Sequence, residues 1–412
     1  MTAALFDLPD PGPEDRGPAS ATPPESGAER TVTFLHTADW QLGMTRHFLA
    51  GEAQHTYNAA REDAVEAIGA LARSTGAEFV VVCGDVFDDP RVSSRIIRRT
   101  LDALGRYPVP VYLLPGNHDP LDATSVYSSD TFRAACPDNV HVLDQAGPHR
   151  VRDGIVLVAA PWTTKSPDTD LVTAQLSRLT AGDDIRIVVG HGIVDEFSPA
   201  DDPSIVGVDG LRAAVDSGLV DYVALGDRHS ATRVAGSDRI RYSGAPEVTD
   251  FDHVEKASGS VLQVTLSRGG EQPAVDVAEH RVGKWTFATV QRDMNGAADL
   301  AALRAAFDAL PDKSRTVVKL ALQGTLGLFD HADLEALLDD YADRFAALQI
   351  WERHHDVAVV ADPTDVNSLD LQGYAAQAAD ELVARAAADD PDDAAAASSA
   401  LALLFRLAGD RR

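Results

Sequence analysis

Five apolar runs of this chain end in residues that can bind a cation or move a proton. TVTFLHT leads to Asp39 and Gln41, FVVVC to Gly84-Asp85, VYLLP to Gly116-Asn117-His118-Asp119, IRIVV to Gly190-His191, and YVAL to Gly226-Asp227-Arg228-His229. Carboxylates, carboxamides and imidazoles without a thiolate suit Mn, Fe or Zn in a hydrolytic centre better than a structural zinc. A carboxylate able to bridge would hold two such ions about 3.5 to 4 Å apart, the spacing that splits phosphoesters. Taken singly these signals are weak: an Asp after a strand is ordinarily a turn former, and a lone His191 is ordinarily a satisfied core or turn residue. Turn propensity explains Gly, Asn and Asp in Gly-Asn-His-Asp but gives no reason for the His. Five strand ends with compatible donors, in order along one chain, favour a metal cage over five unrelated turns.

The elements that position these residues follow from the apolar pattern. From Thr31 onward, short β-branched runs alternate with helical periodicity, with helices over 58–74 and 94–105 between strands. HVLDQ, GIVLVAAPW, IRIVVGHG, DYVALGD, RIRYSG and GSVLQVTLS then read as successive strands with few helices between them. The expectation is an α/β fold of two stacked β-sheets flanked by helices, with ligands gathered at the carboxyl edge of the strands. Near Arg281 the pattern resets into a βαβαβ unit. The reading therefore divides the chain into a disordered Pro/Gly/Ser-rich tail (1–30), a main domain (31–280), a small α+β domain (281–362) and a helical tail (363–412). In that last segment Leu371, Tyr374, Ala378 and Leu382, then Leu401, Leu404, Phe405 and Leu407, fall at helical spacing. Packing on its own domain and docking a partner are both open for it.

Composition bounds the function. The 412 residues carry 36 basic and 64 acidic side chains, a formal charge of −28, so polyphosphate is repelled at long range. Nucleic acid binding would need a local basic patch, bound cations or a partner subunit. Arg91, Arg95 and Arg98 would share one face of a helix, as a phosphate-backbone clamp or as a solvated surface. Two cysteines, Cys83 and Cys136, form no C-x-x-C, which fits a reducing cytoplasm, and neither an export signal nor a membrane span is read. No G-x-x-x-x-G-K-[ST] loop occurs, so the chain does not carry its own P-loop ATPase.

The ordered motifs HTADWQLG, GDVFD, LPGNHD, VVGHG, VALGDRH and RYSGAPEV resemble those of the calcineurin-like metallophosphoesterases, and within them the SbcD-type DNA repair exonucleases. The resemblance runs from about Thr31 to Ser267 and more loosely through the βαβαβ unit, which would be the capping domain. It implies one metal held by Asp39, Gln41, Asp85 and His229 and a second by Asp85, Asn117, His191 and Asp227, with Asp85 bridging. His118 would stabilise the transition state or protonate the leaving oxygen. Gln41 stands where the family has His, and Asp227 where it has the first His of G-H-x-H. Two nitrogen donors are thereby exchanged for oxygens, which leans the site towards Mn or Mg. The resemblance further implies DNA as substrate, a homodimer, and an SMC-like ATPase (SbcC type) docking on the helical tail. A small-molecule phosphodiesterase of the same superfamily, or a catalytically weak subunit that anchors an ATPase, is the alternative.

Overall fold

The computed structural model describes residues 30–199, 202–269, 273–360, 371–387 and, beyond these, 390, 393, 394, 396, 397, 399–401, 403 and 404. The readings made for 1–29, and for Phe405 and Leu407, lie outside the described residues. In chain order the strands are β1 (Arg30–Thr37), β2 (Val80–Cys83), β3 (Val111–Leu114), β4 (Val140–Val142), β5 (Gly147–Arg152), β6 (Ile155–Ala159), β7 (Ile185–His191), β8 (Tyr222–Gly226), β9 (Thr232–Arg233), β10 (Ile240–Tyr242), β11 (Ser260–Arg268), β12 (Ala274–Arg281), β13 (Thr286–Met294), β14 (Thr316–Gly327), β15 (Ala347–Ile350) and β16 (Asp356–Val360). The helices are α1 (Gly51–Thr75), α2 (Ser94–Leu104), α3 (Asp130–Ala135), α4 (Leu171–Leu176), α5 (Val208–Asp216), α6 (Ala297–Ala309), α7 (Leu328–Ala342) and α8 (Tyr374–Ala386).

Two six-stranded sheets form the body, in the orders β12-β11-β1-β2-β3-β4 and β5-β6-β7-β8-β10-β9. Strands β1 to β4 run parallel, as do β6, β7, β8 and β10, so their carboxyl ends share an edge. The strands read as near-continuous apolar runs because both faces are covered. One layer of side chains lies between the sheets: Phe34 stacks on Phe79, the residue before β2, at 5.0 Å and meets Tyr222 of the other sheet edge-on at 5.7 Å. Helices α1, α2 and α3 cover the outer face of the first sheet, and α4 and α5 that of the second. The stacked α/β architecture expected from the sequence is thus the one observed.

Helix α1 starts earlier than its apolar period indicates. The run 51–56 buries little, and the buried face begins at Tyr57, so only the core-facing part shows in the pattern. Strand β12 also escapes the reading: it is an edge strand paired with β11 along its length, and only Val275 and Val277 turn toward the inter-sheet core, partly buried.

The third sheet has β14 at its centre, parallel to β13 on one side, with β15 and β16 sharing its other edge. Helices α6 and α7 cover one face through Leu303, Phe307, Leu337 and Tyr341. Its start is fastened to the body: Trp285 and Phe287 pack on Tyr57 of α1, and the buried Glu247 carboxylate accepts from the backbone N–H of Lys284 (2.9 Å) and Trp285 (3.0 Å). In the helical tail, Ala379 of α8 and Leu401 are buried against Leu328 and Ala332 of α7, with Leu371, Leu382 and Leu404 packed alongside. The tail's inner side is therefore used by its own chain, while Tyr374 is 86% exposed.

Candidate metal centre

The carboxyl ends of β1, β2, β3, β7 and β8 bring the expected donors to one place. The segment after β1 is zipped onto the segment after β2, with Asp39 N donating to Gly84 O (3.0 Å) and Gln41 N to Asp85 O (2.8 Å). Oxygens of Asp39 and Asp85 and a ring nitrogen of His191 all lie within 4.8 Å of one another, and all three residues are buried. Asp227 joins them across the sheets: its N–H donates to Asp39 Oδ1 at 3.0 Å, and its Oδ1 stands 3.7 Å from His191 Nε2. Asn117 Oδ1 is 2.7 Å from His191 Nε2, and Gln41 Nε2 is 3.2 Å from His229 Nε2.

Close approach explains the glycines. A Cβ at Gly84 would sit 2.1 Å from His191 Nδ1, and one at Gly116 would sit 2.3 Å from Asp85 Oδ1. The donors crowd because nothing occupies those two positions. The backbone is strained at the same points. Among the described residues five non-glycine residues have φ in the left-handed region, and four of them are Asp39 (56°), Gln41 (43°), Asp85 (56°) and Asp227 (95°). Each such conformation costs on the order of 1–3 kcal/mol, which persists only where surrounding structure over-determines it.

Hydrogen bonding assigns the imidazole tautomers. His191 Nδ1–H donates to Cys83 O (2.8 Å) and His118 Nδ1–H to Asp88 O (2.7 Å). His229 Nδ1–H donates to Thr249 Oγ1 at 2.5 Å, because the Thr249 hydroxyl hydrogen goes to Glu255 Oε2. Each ring thus keeps Nε2 for the site, the arrangement that outer hydrogen bonds impose on metal-binding histidines. Asp119, fully buried, accepts from Gly116 N (2.8 Å), Phe87 N (3.1 Å) and the Tyr127 hydroxyl (2.7 Å), and so fastens the turn bearing Asn117 and His118 to the segment after β2.

The electrostatics are those of a cage built for positive charge. Burial raises the Asp39 carboxyl to about 7; His229 and His191 oppose that, while the Asp85 and Asp227 carboxylates add to it. Burial also pushes Asp227 up. For His191 burial pulls downward, but Asp85, Asp227 and Asp39 outweigh it and hold the imidazole at about 9. His229 is likewise pulled down by burial and raised, to about 8, by Glu255 and Asp39. A carboxyl raised to about 7 beside imidazoles raised above their ordinary value marks a cluster of donors whose charges suit a shared cation. The buried Gln41 Oε1 has no hydrogen-bond partner among the described residues. An all-oxygen-and-imidazole donor set with an orphaned carboxamide oxygen fits divalent cations.

Above the donors lies a cleft of about 480 Å³ lined by His118, Asp227 and His229, and also by Arg46, Arg228 and Asp88. Arg46 donates to Thr249 O, while the Arg228 guanidinium lies 4.3 Å over the Phe197 ring and donates Nε–H to Thr232 Oγ1. The arginines singled out in the sequence are placed differently. Helix α2 begins at Ser94, so Arg91 precedes it, is not on a shared helical face with Arg95 and Arg98, and pairs with Asp89 at 2.9 Å. The segment that carries Arg91 turns before the helix because Ser93 is the N-cap, accepting from Ile96 N. Arg95 and Arg98 are exposed on α2, and none of the three lines the cleft. Of the residues that sequence reasoning missed, Arg228 is flagged by its place between Asp227 and His229, and Asp119 by its place in Gly-Asn-His-Asp. Glu255 and Arg46 carry no local signal.

Residues 32–231 match the calcineurin-like phosphoesterase family. It is similar to the D component of the nuclease SbcCD of Escherichia coli (strain K12), 27% identical over 58% of this chain and 66% of the relative, so the chain spans just under two thirds of that relative's length. With the D component of the nuclease SbcCD of Rhodobacter capsulatus it is 26% identical over 81% of this chain and 91% of the relative. The crystal structure of TT1561 of Thermus thermophilus aligns over 61% of this chain and 100% of its own at 11% identity and a TM-score of 0.38, too remote to carry an argument. No helix among the described residues is long and apolar enough to cross a membrane.

Proposed function

We propose that this chain is a metal-dependent phosphodiesterase acting on DNA, the nuclease component of an SbcCD-like complex. One observation carries the reading: Asp39, Asp85, Asp227 and His191 converge at the ends of strands from two sheets, His229 joins them beside Gln41, and His118 lines the cleft above. In the proposed assignment Asp39, Gln41, Asp85 and His229 hold one divalent cation and Asp85, Asn117, His191 and Asp227 the other. The harder oxygen donors Gln41 and Asp227 favour Mn, with Mg as second choice. Bound cations supply Lewis acidity and an activated water for hydrolysis of a phosphodiester. The chain's own groups do the rest. His118, its Nδ1–H fixed on Asp88 O, directs Nε2 toward the reacting groups, and in the imidazolium form the second proton, on Nε2, is the one passed to the leaving oxygen. Arg46 and Arg228 present cations to the phosphate in the cleft.

A nucleic acid as substrate is supported by the two relatives, which are named as nuclease components, and DNA is the choice the motif resemblance adds. On this reading 31–280 is the nuclease domain, 281–362 the capping domain and 363–412 the docking segment for an SMC-like ATPase. The protein would work as a homodimer in the cytoplasm, and Arg95 and Arg98 remain free to contact DNA outside the cleft. The alternative, a phosphodiesterase of small molecules, is favoured by the charge of −28. The test is cleavage of bis-p-nitrophenyl phosphate and of linear DNA with Mn, before and after chelation. Asp85→Asn should leave less than about a tenth of either activity, because it weakens the one carboxylate assigned to both cations. Rapid turnover of cyclic nucleotides with intact DNA would favour the alternative. Replacing Tyr374 with Asp should leave diester turnover intact and weaken co-purification with the ATPase.

A further inference from the structure

The face of the third sheet turned away from α6 and α7 carries a row of rings and amides that the metal site does not use. On it, Thr289, Gln291 and Asp293 of β13 pair in register with Lys319, Ala321 and Gln323 of β14. His253 packs on Trp351 at 4.8 Å, Trp351 on His354 at 4.1 Å, and Lys319 Nζ lies 4.5 Å from the Trp351 ring centre. His354 continues into a cavity of about 370 Å³ lined by Gln291, Arg292, Asp293, Ala321 and Gln323. The row starts at the metal cleft. Asp250 and Val254 line that cleft, His253 lies between them in the chain, and Val254 is 60% exposed. Three residues of backbone reach at most about 10 Å, so the first ring is within a nucleotide or two of the cleft.

We propose that this face is a subsite for an unpaired nucleic-acid strand, whose bases stack on the row of Trp351 and His354 and present their edges to Gln291 and Gln323. The proposal rests on the DNA phosphodiesterase reading and extends it. Any base has a flat face for an aromatic platform, while carboxamides both donate and accept and so serve base edges. A globular partner protein is a poorer occupant, since the cavity lining is polar and includes both Asp293 and Arg292. Cations on the row and beside the cavity, Lys319 and Arg292, suit a phosphate backbone within a chain that is otherwise acidic.

Trp351 supplies its own probe. Trp40, Trp162 and Trp285 are 1%, 7% and 1% exposed, so Trp351, half-buried, is the most accessible of the four tryptophans. Titrating the full chain with a short oligothymidylate in the absence of divalent cations should quench tryptophan emission, and Trp351→Phe should remove the quench while keeping the binding. Trp351→Ala with His354→Ala should weaken oligothymidylate binding about tenfold or more and leave bis-p-nitrophenyl phosphate turnover unchanged, which also shows that the variant is folded. Gln323→Glu, which adds an anion to the cavity, should weaken binding with no ring removed. Unchanged affinity in the double variant, or a quench that survives Trp351→Phe, overturns the subsite while leaving the nuclease reading standing. A wild-type chain that splits the small diester but neither binds nor cuts DNA overturns both.

Discussion

Glu255 stands 3.4 Å from His229 Nδ1 and holds Thr249 by its N–H and its hydroxyl, so one buried carboxylate sets the direction of an imidazole on a different loop. His229 donates to Thr249, Thr249 donates to Glu255, and His229 Nε2 is left as an acceptor toward Gln41 and the donor cluster. Despite its burial, Glu255 is kept below the ordinary carboxylate range by His229 and by the donors from Thr249. Glu255→Gln keeps the shape and removes the charge. Divalent cation affinity, read by calorimetry, should fall about 10- to 100-fold, the usual cost of losing an outer partner of a metal-binding His. Unchanged affinity would make Glu255 a packing residue only.

Asp227 offers the second test of the cage. If it holds a cation, Asp227→Ala should reduce the number of cations bound or weaken one of them by at least about tenfold, with diester turnover falling in parallel. Gln41→His with Asp227→His should shift preference toward Zn, because it returns two imidazole donors. Normal binding by Asp227→Ala would reduce Asp227 to the strained turn that its φ of 95° records.

Asp119 should matter through stability and geometry without touching substrate. Asp119→Ala leaves the N–H groups of Gly116 and Phe87 without their acceptor in a buried place. Each unpaired group costs about 1–3 kcal/mol, so urea unfolding should show a loss of a few kcal/mol. Asp119→Asn, which retains one acceptor oxygen, should lose less.

His36 gives a pH dependence that is independent of the cage. Burial drives its pKa down to about 3 from 6.5, with the Leu225 carbonyl opposing and the Arg241 charge adding. The ring is satisfied when neutral, donating Nε2–H to Leu225 O and accepting from the Tyr222 hydroxyl at Nδ1. Between pH 6.5 and about 3 the unfolded chain takes up a proton that the folded chain refuses. The stabilisation is therefore complete above pH 6.5 and is lost as pH falls, at about 1.4 kcal/mol per unit. From pH 7 to 5 the wild type should lose about 2 kcal/mol more than His36→Gln; equal losses in urea titrations would refute this.

Much of the site is legible in the linear chain because short-range physics writes it there. An apolar run followed by Gly and a polar donor is a strand meeting a loop, and parallel strands put all such ends on one edge. Asp39, Asp85, Asn117, His118, His191, Asp227 and His229 could therefore be named, and the two stacked sheets expected, before any coordinate. Other features have no local signature. The edge strand β12 shows only two alternating valines, Val275 and Val277, before its pattern turns polar, and the start of α1 precedes its buried stripe. Arg91 falls outside α2 because the Ser93 cap, not the arginine spacing, decides where the helix begins. Glu255 and His229 meet only when the loop after β10 folds back on the loop after β8, and Trp351 meets His253 only when the third sheet docks on the body through Tyr57, Trp285 and Glu247. Local patterning decides which residues can be donors. Burial, tautomer and charge belong to neighbours far apart in sequence, so the tertiary structure alone decides which imidazole nitrogen faces the cage and which carboxylate holds it there.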